Sequence, residues 1–185
     1  MIKMNEQLDL ENLELIMYDI EGTLILEEEL KSPTGIAVVR GNCLQHLTQK
    51  PTIRINEGLK KLLVEAKEAE ILQGILSGYA YQFGINYLSA CEAREFIDPR
   101  LIFLAHKYAW EGMVLEGQDY GEVLKQYDKP AQKMYELARK TATEIKGKEI
   151  TPMSCLYIGD SSTDKEGADN AGWNYLDITE LEKRL

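Results

Sequence analysis

The chain has 185 residues, 44% of them apolar and 28% charged, and its 31 Asp and Glu against 21 Lys and Arg give a formal net charge of −10. This size and apolar fraction fit one compact soluble domain over residues 1–185 and argue against both intrinsic disorder and a two-domain protein. The acid excess argues against nucleic-acid binding through a basic patch and against an anionic membrane surface, so any anionic substrate must meet local positive charge from a few placed Lys or Arg side chains or from a divalent metal.

The first residues, MIKMNEQLDLENLE, are acidic and carry no apolar stretch of signal-peptide length. Leu13 to Tyr18 is a short apolar run that ends abruptly in Asp-Ile-Glu-Gly-Thr, the pattern of a buried strand followed by a tight loop. Leu26 to Glu57 holds an acidic run, Pro33, Gly35, Gly41 and Pro51, and the spacing predicts a flap or short hairpin over residues 25–56. A helix is predicted over Asn56 to Ala69, with Leu59, Leu62, Leu63 and Ala66 on one face. Glu70 to Leu76 is a second strand ending in Ser77-Gly78. Between Phe96 and Asp128 two readings stand open: a helix from Asp98-Pro99 through Trp110, or a third strand at Leu101 to Leu104. Pro130 to Ile145 reads as a helix, Ser154 to Ile158 as a strand ending in Gly159-Asp160-Ser161, and Asp164 to Ala171 as a further helix. No run approaches the roughly 18 apolar residues of a membrane span, and a cytoplasmic chain is expected. Cys43, Cys91 and Cys155 follow no metal or redox spacing and read as reduced core thiols.

Strands alternating with helices predict an α/β fold with a doubly wound parallel sheet, whose ligand crevice lies at the carboxyl ends of the strands. There all three apolar runs end in polar groups. At any one of these ends, Asp, Ser and Gly serve equally well as turn residues and helix caps; the functional inference rests on the three ends together. Asp19 and Glu21 flank Ile20 at the first end, so two carboxylates converge on one place. Their repulsion either raises one pKa or recruits a cation, which suits acid/base chemistry or Mg²⁺ binding. Asp160, with Asp164 four residues on, is the second carboxylate source.

Asp19-Ile20-Glu21-Gly22-Thr23-Leu24, Ser77, Lys129-Pro130 and Gly159-Asp160-Ser161-Ser162-Thr163-Asp164 resemble, in this order, the four motifs of the haloacid dehalogenase (HAD) superfamily. The resemblance spans most of the chain and implies a Rossmann-like HAD core. The usual first motif is Asp-x-Asp; the Glu21 form is similar to that of the enolase-phosphatase branch. Carried over, the resemblance implies a Mg²⁺-dependent phosphatase in which Asp19 attacks phosphorus and forms an aspartyl-phosphate. It further implies that Glu21 is the acid/base, that Ser77 binds a phosphoryl oxygen and that Lys129 stabilises its charge. The metal would be held by Asp19, the Glu21 backbone carbonyl and Asp160, with Asp164 supporting its water shell or orienting Lys129.

Lys133 competes for the lysine role, and Lys129 is preferred because Lys-Pro at the start of a helix is the family's usual form. His46, His106, Tyr79, Tyr81, Phe83, Arg40 and Arg54 read as packing or surface residues. Between Leu24 and Glu57 lie 32 residues, and between Ser77 and Lys129 lie 51. The second gap must supply a helix and a strand, roughly 30 residues, so no large cap domain is expected. An open site suits a phosphorylated small molecule or macromolecule, or closure by a second copy of the chain. The alternative is a HAD-like binding module with weak or no turnover, motivated by Glu21 and the open site. A receiver-like phosphoacceptor is disfavoured because Lys129 precedes Asp160, and neither the P-loop nor the dinucleotide glycine pattern is present.

Overall fold

Leu15–Tyr18 form the first strand, β1, because four apolar residues in succession can be buried only where both faces of a sheet are covered. Their side chains alternate between two cores. Ile16 and Tyr18 pack on one side with Leu59, Leu63, Ile75 and Ile158, while Leu15 and Met17 pack on the other with Met134, Tyr135, Tyr157 and Trp173. The computed structural model describes residues 10–25, 55, 57–78 and 91–182.

The chain continues through helix α1 (Glu57–Glu68), β2 (Leu72–Ser77), β3 (Ile102–Leu104), α2 (Ala105–Glu116), α3 (Tyr120–Tyr127), α4 (Lys133–Lys146), β4 (Cys155–Gly159), α5 (Ser162–Ala171), β5 (Asn174–Asp177) and α6 (Ile178–Glu182). All strand pairs are parallel, in the order β3-β2-β1-β4-β5. Winding proceeds outward from β1 through β2 to β3, then returns to the other side of β1 for β4. The reversal puts a switch point between the carboxyl ends of β1 and β4, the place where an open α/β sheet leaves a crevice.

The predicted α/β fold with its doubly wound parallel sheet is present, and the open question between Phe96 and Asp128 has a composite answer. Asp98 caps a short 3₁₀ turn at Pro99–Leu101, its carboxylate accepting the Arg100 N–H; β3 and then α2 follow. A helix not expected in this gap, α3, takes up the residues that the gap count left spare. It is capped by Asp119, which accepts the Glu122 N–H, and it packs against α2. The helix predicted from Pro130 begins only at Lys133, because Asp128 turns the chain first: its carbonyl accepts the Ala131 N–H, and the Lys129-Pro130 peptide is cis.

The predicted flap lies outside the described residues except at its ends, where Ile25 and Ile55 are buried and pair in an antiparallel bridge. Cys43, His46, Arg40, Arg54, Tyr79, Tyr81 and Phe83 also lie outside them. Among the described residues, no helix is long and apolar enough to cross a membrane.

Candidate active site

Asp19 is the first residue past β1, and its N–H is held by the Ile158 carbonyl of β4 at 3.0 Å. Beyond it the loop folds back on itself: Leu24 N–H donates to the Asp19 carbonyl and Ile25 N–H to the Ile20 carbonyl. Gly22 sits in this loop at φ 72°, and a Cβ there would lie 2.0 Å from Asp160 Oδ2. Only glycine both adopts this conformation without strain and lets the loop approach the end of β4 so closely.

Asp19 is 7% exposed. Burial pushes its pKa up, Lys129 opposes that, Asp164 adds to it, and a hydrogen bond with the Ser77 hydroxyl opposes it again. Lys129 Nζ stands 3.0 Å from Asp19 Oδ1. The contact is an ion pair without hydrogen-bond alignment, since Oδ1 is buried and accepts no hydrogen bond. The ammonium donates instead to Asp164 Oδ1 and, at 3.3 Å, to the Tyr157 hydroxyl. Burial alone would lower the Lys129 pKa, but the two carboxylates outweigh it and hold the side chain cationic.

Asp164 is fully buried and both of its oxygens are engaged. Oδ2 accepts the Asp160 and Ser161 N–H groups at 3.2 and 3.1 Å, closing a capping box with the Ser161 hydroxyl at the start of α5. Asp160 is exposed, and burial together with Asp19 and Asp164 raises its pKa. Carboxylate oxygens of Asp19, Asp160 and Asp164 all lie within 4.8 Å of one another.

Of the residues singled out in the sequence, Asp19, Ser77, Lys129, Asp160 and Asp164 therefore meet at the switch point. Glu21 follows Asp19 in the same loop, with its side chain exposed. Lys133 is elsewhere: it donates to Gln126 Oε1 at 3.0 Å and lies over the Tyr127 ring. His106 pairs with the Tyr120 hydroxyl. Sequence reasoning missed Tyr157, whose position within an apolar strand gave no polar signal. It also missed Asp128, whose Oδ1 accepts the Lys129 N–H at 3.0 Å and fills the space a Cβ on Gly78 would need.

The cluster carries three carboxylates against one ammonium, and one of its buried oxygens has no donor. This donor set fits a hard divalent cation such as Mg²⁺, which takes oxygen ligands. Asp19 and Asp160 have oxygens to offer it. Asp164 has none to spare. A cleft of about 440 Å³ at the opposite, amino end of the strands has no part in this chemistry: its lysines are engaged, Lys148 with Glu14 at 2.5 Å and Lys146 with the Glu70 carbonyl at 2.6 Å.

A parallel sheet with an acid and lysine cluster at its switch point defines an α/β core with a candidate site at its carboxyl edge, and comparison with known proteins shows what it is similar to. Residues 126–179 match the HAD-hydrolase-like family model. The fold is similar to that of CbbY from Rhodobacter sphaeroides in complex with phosphate, with 19% identity, TM-score 0.57, and coverage of 89% of this chain and 85% of that one. A Lactobacillus plantarum protein described as a phosphoglycolate phosphatase matches with 14% identity and TM-score 0.59 over 92% of this chain and 88% of its own. L-2-haloacid dehalogenase from Xanthobacter autotrophicus matches with 14% identity and TM-score 0.53 over 88% and 76%. No curated protein matches the chain in sequence. The family match covers residues 126–179, and over most of the chain the fold is similar to that of these proteins.

Proposed function

We propose that the protein is a Mg²⁺-dependent phosphomonoester hydrolase that works through an aspartyl-phosphate on Asp19. The observation that carries this reading is the buried Asp19 carboxylate at the switch point, ion-paired at 3.0 Å with Lys129 and clustered with Asp160. A phosphate dianion brought to three carboxylates and one lysine would be repelled, so a divalent cation, which Asp19, Asp160 and the Glu21 backbone carbonyl would hold, would supply the missing positive charge.

An Asp19 oxygen forms the new bond to phosphorus as the bond to the substrate's alkoxide breaks. Glu21, exposed in the loop beside Asp19, gives its proton to the departing alkoxide. It then takes a proton from the water that attacks phosphorus, which releases inorganic phosphate and restores Asp19. Lys129 sits where the phosphoryl oxygens gain charge and is poised to stabilise it. Ser77, already hydrogen-bonded to the Asp19 carboxylate, fixes the nucleophile and is placed to reach a phosphoryl oxygen. The substrate class is a phosphorylated small molecule or macromolecule, with a second copy of the chain as one means of closing an open site.

The test is hydrolysis of an aryl phosphate by the wild type with Mg²⁺, the wild type with EDTA, and Asp19→Asn with Mg²⁺. Activity is expected only in the first; turnover by Asp19→Asn overturns the assignment of the nucleophile. A 2-chloroacid assayed in parallel covers halide displacement, the other chemistry found on this fold.

A further inference from the structure

The Tyr157 hydroxyl is a polar group in a place where a strand side chain needs none. Tyr157 lies in β4, fully buried, opposite Met17 of β1. Its ring is held edge-on by Tyr135, with centroids 5.2 Å apart. From there the hydroxyl passes beneath β1 and donates to the Leu76 carbonyl of β2 at 2.7 Å. A phenol has one proton, and this short contact uses it. The oxygen's lone pairs therefore remain for Lys129 Nζ at 3.3 Å, and the 3.4 Å approach to Asp164 Oδ1 is the longer of the two directions open to the hydroxyl proton.

An ammonium has three protons, and three oxygens surround this one: Asp164 Oδ1, the Tyr157 hydroxyl and Asp19 Oδ1. The first two meet hydrogen-bond geometry and the third does not. Two of the three N–H groups are thus fixed by the protein. We propose that Tyr157 is a positioning residue for Lys129: by fixing one N–H from below while Asp164 fixes another, it aims the third at the gap between Asp19 and an arriving phosphoryl oxygen. This inference rests on the phosphohydrolase reading above for its consequence in turnover. The geometry itself does not depend on that reading. Because Tyr157 is fully buried and its hydroxyl meets Lys129 Nζ, its effect passes through Lys129.

Tyr157→Phe removes the hydroxyl and keeps the ring. Two measurements on the folded variant test the proposal. The first is the ¹⁵N-detected side-chain ammonium signal of Lys129, assigned by its loss in Lys129→Arg. A buried lysine hydrogen-bonded to two oxygens and ion-paired with a third exchanges its protons slowly, and in Tyr157→Phe the exchange is expected to quicken at least tenfold. The second is turnover of an aryl phosphate with Mg²⁺, where kcat is expected to fall about tenfold with KM changed less than twofold, since Tyr157 makes no contact that binds the substrate. A purely structural role would lower the melting temperature and leave kcat per folded molecule and the ammonium exchange as in the wild type; that result overturns the proposal. A wild-type chain whose Lys129 signal is already lost to fast exchange also overturns it, whether or not the variant folds. Altered ammonium exchange in a chain with no phosphatase activity at all would instead contradict the proposed function and leave the positioning role in place.

Discussion

Asp164→Asn is the most informative single change, because Asp164 holds two parts of the site with its two oxygens. The amide can keep the cap of α5: its carbonyl oxygen can still accept the Asp160 and Ser161 N–H groups, now received at 3.2 and 3.1 Å. Its NH₂ then replaces Oδ1 and faces the Lys129 ammonium, donor against donor. The charge-assisted bond lost from a buried lysine is worth about 1.5–3 kcal/mol. For a chain of this length, each kcal/mol shifts the melting temperature by roughly 2–4 °C, so a fall of about 3–12 °C is expected in circular dichroism melts at pH 7. Asp164→Ala also removes the cap, about 1 kcal/mol more, and should melt roughly 2–4 °C lower still. Aryl phosphate turnover should fall in both variants, because Lys129 loses the stronger of its two fixed acceptors. An Asn variant that melts and turns over like the wild type would refute the reasoning, since it would mean that Lys129 is not held by the Asp164 charge.

Gly22→Ala should lose most of its activity, because the new Cβ would lie 2.0 Å from Asp160 Oδ2 at a φ of 72°; the left-handed backbone alone costs about 1–2 kcal/mol, and comparing activity with melting temperature separates the two effects. Saturating Mg²⁺ should raise the melting temperature of the wild type. At a hundred times its Kd a ligand adds about 2.7 kcal/mol, or roughly 5–11 °C here, and Asp160→Asn should abolish most of that rise in the same differential scan. Burial pushes the Cys155 thiol up to about 12, so at pH 8 it is protonated and enclosed, and iodoacetamide should label it only after unfolding, as read by peptide mass spectrometry.

Much of this arrangement was legible in the sequence because a parallel sheet buries its strands on both faces. An apolar run such as LIMY or CLYIG must then stop abruptly where the chain surfaces, and at that point Asp19 and Asp160 stand out. The resemblance to the ordered HAD motifs added Ser77 and Lys129. What stayed hidden had weaker local signals. β5, over Asn174–Asp177, lies at the sheet edge with only Leu176 buried, so it carries no apolar run. β3 is three residues long. The helix α3 did carry a signal, Asp119 followed by Val123, Leu124 and Tyr127 at helical spacing, within a stretch where the competing readings concerned only its first half. Tyr157 could not be read at all: as one apolar residue among five it is indistinguishable from core, and only the distance from its hydroxyl to Lys129 sets it apart. The choice between Lys129 and Lys133 is similar. Lys129 directly precedes Pro130 and Lys133 follows it by three residues, and the turn at Asp128 decides which of them faces Asp19.

The most direct measurement is a rapid acid quench of the wild type turning over a ³²P-labelled phosphomonoester in Mg²⁺, followed by peptide mapping. A label that is stable in acid, released by hydroxylamine, carried by the peptide containing Asp19 and lost in Asp19→Asn is the expected result. Turnover with no labelled peptide, or a label that persists in Asp19→Asn, would contradict the assignment of Asp19 as the group that takes the phosphoryl.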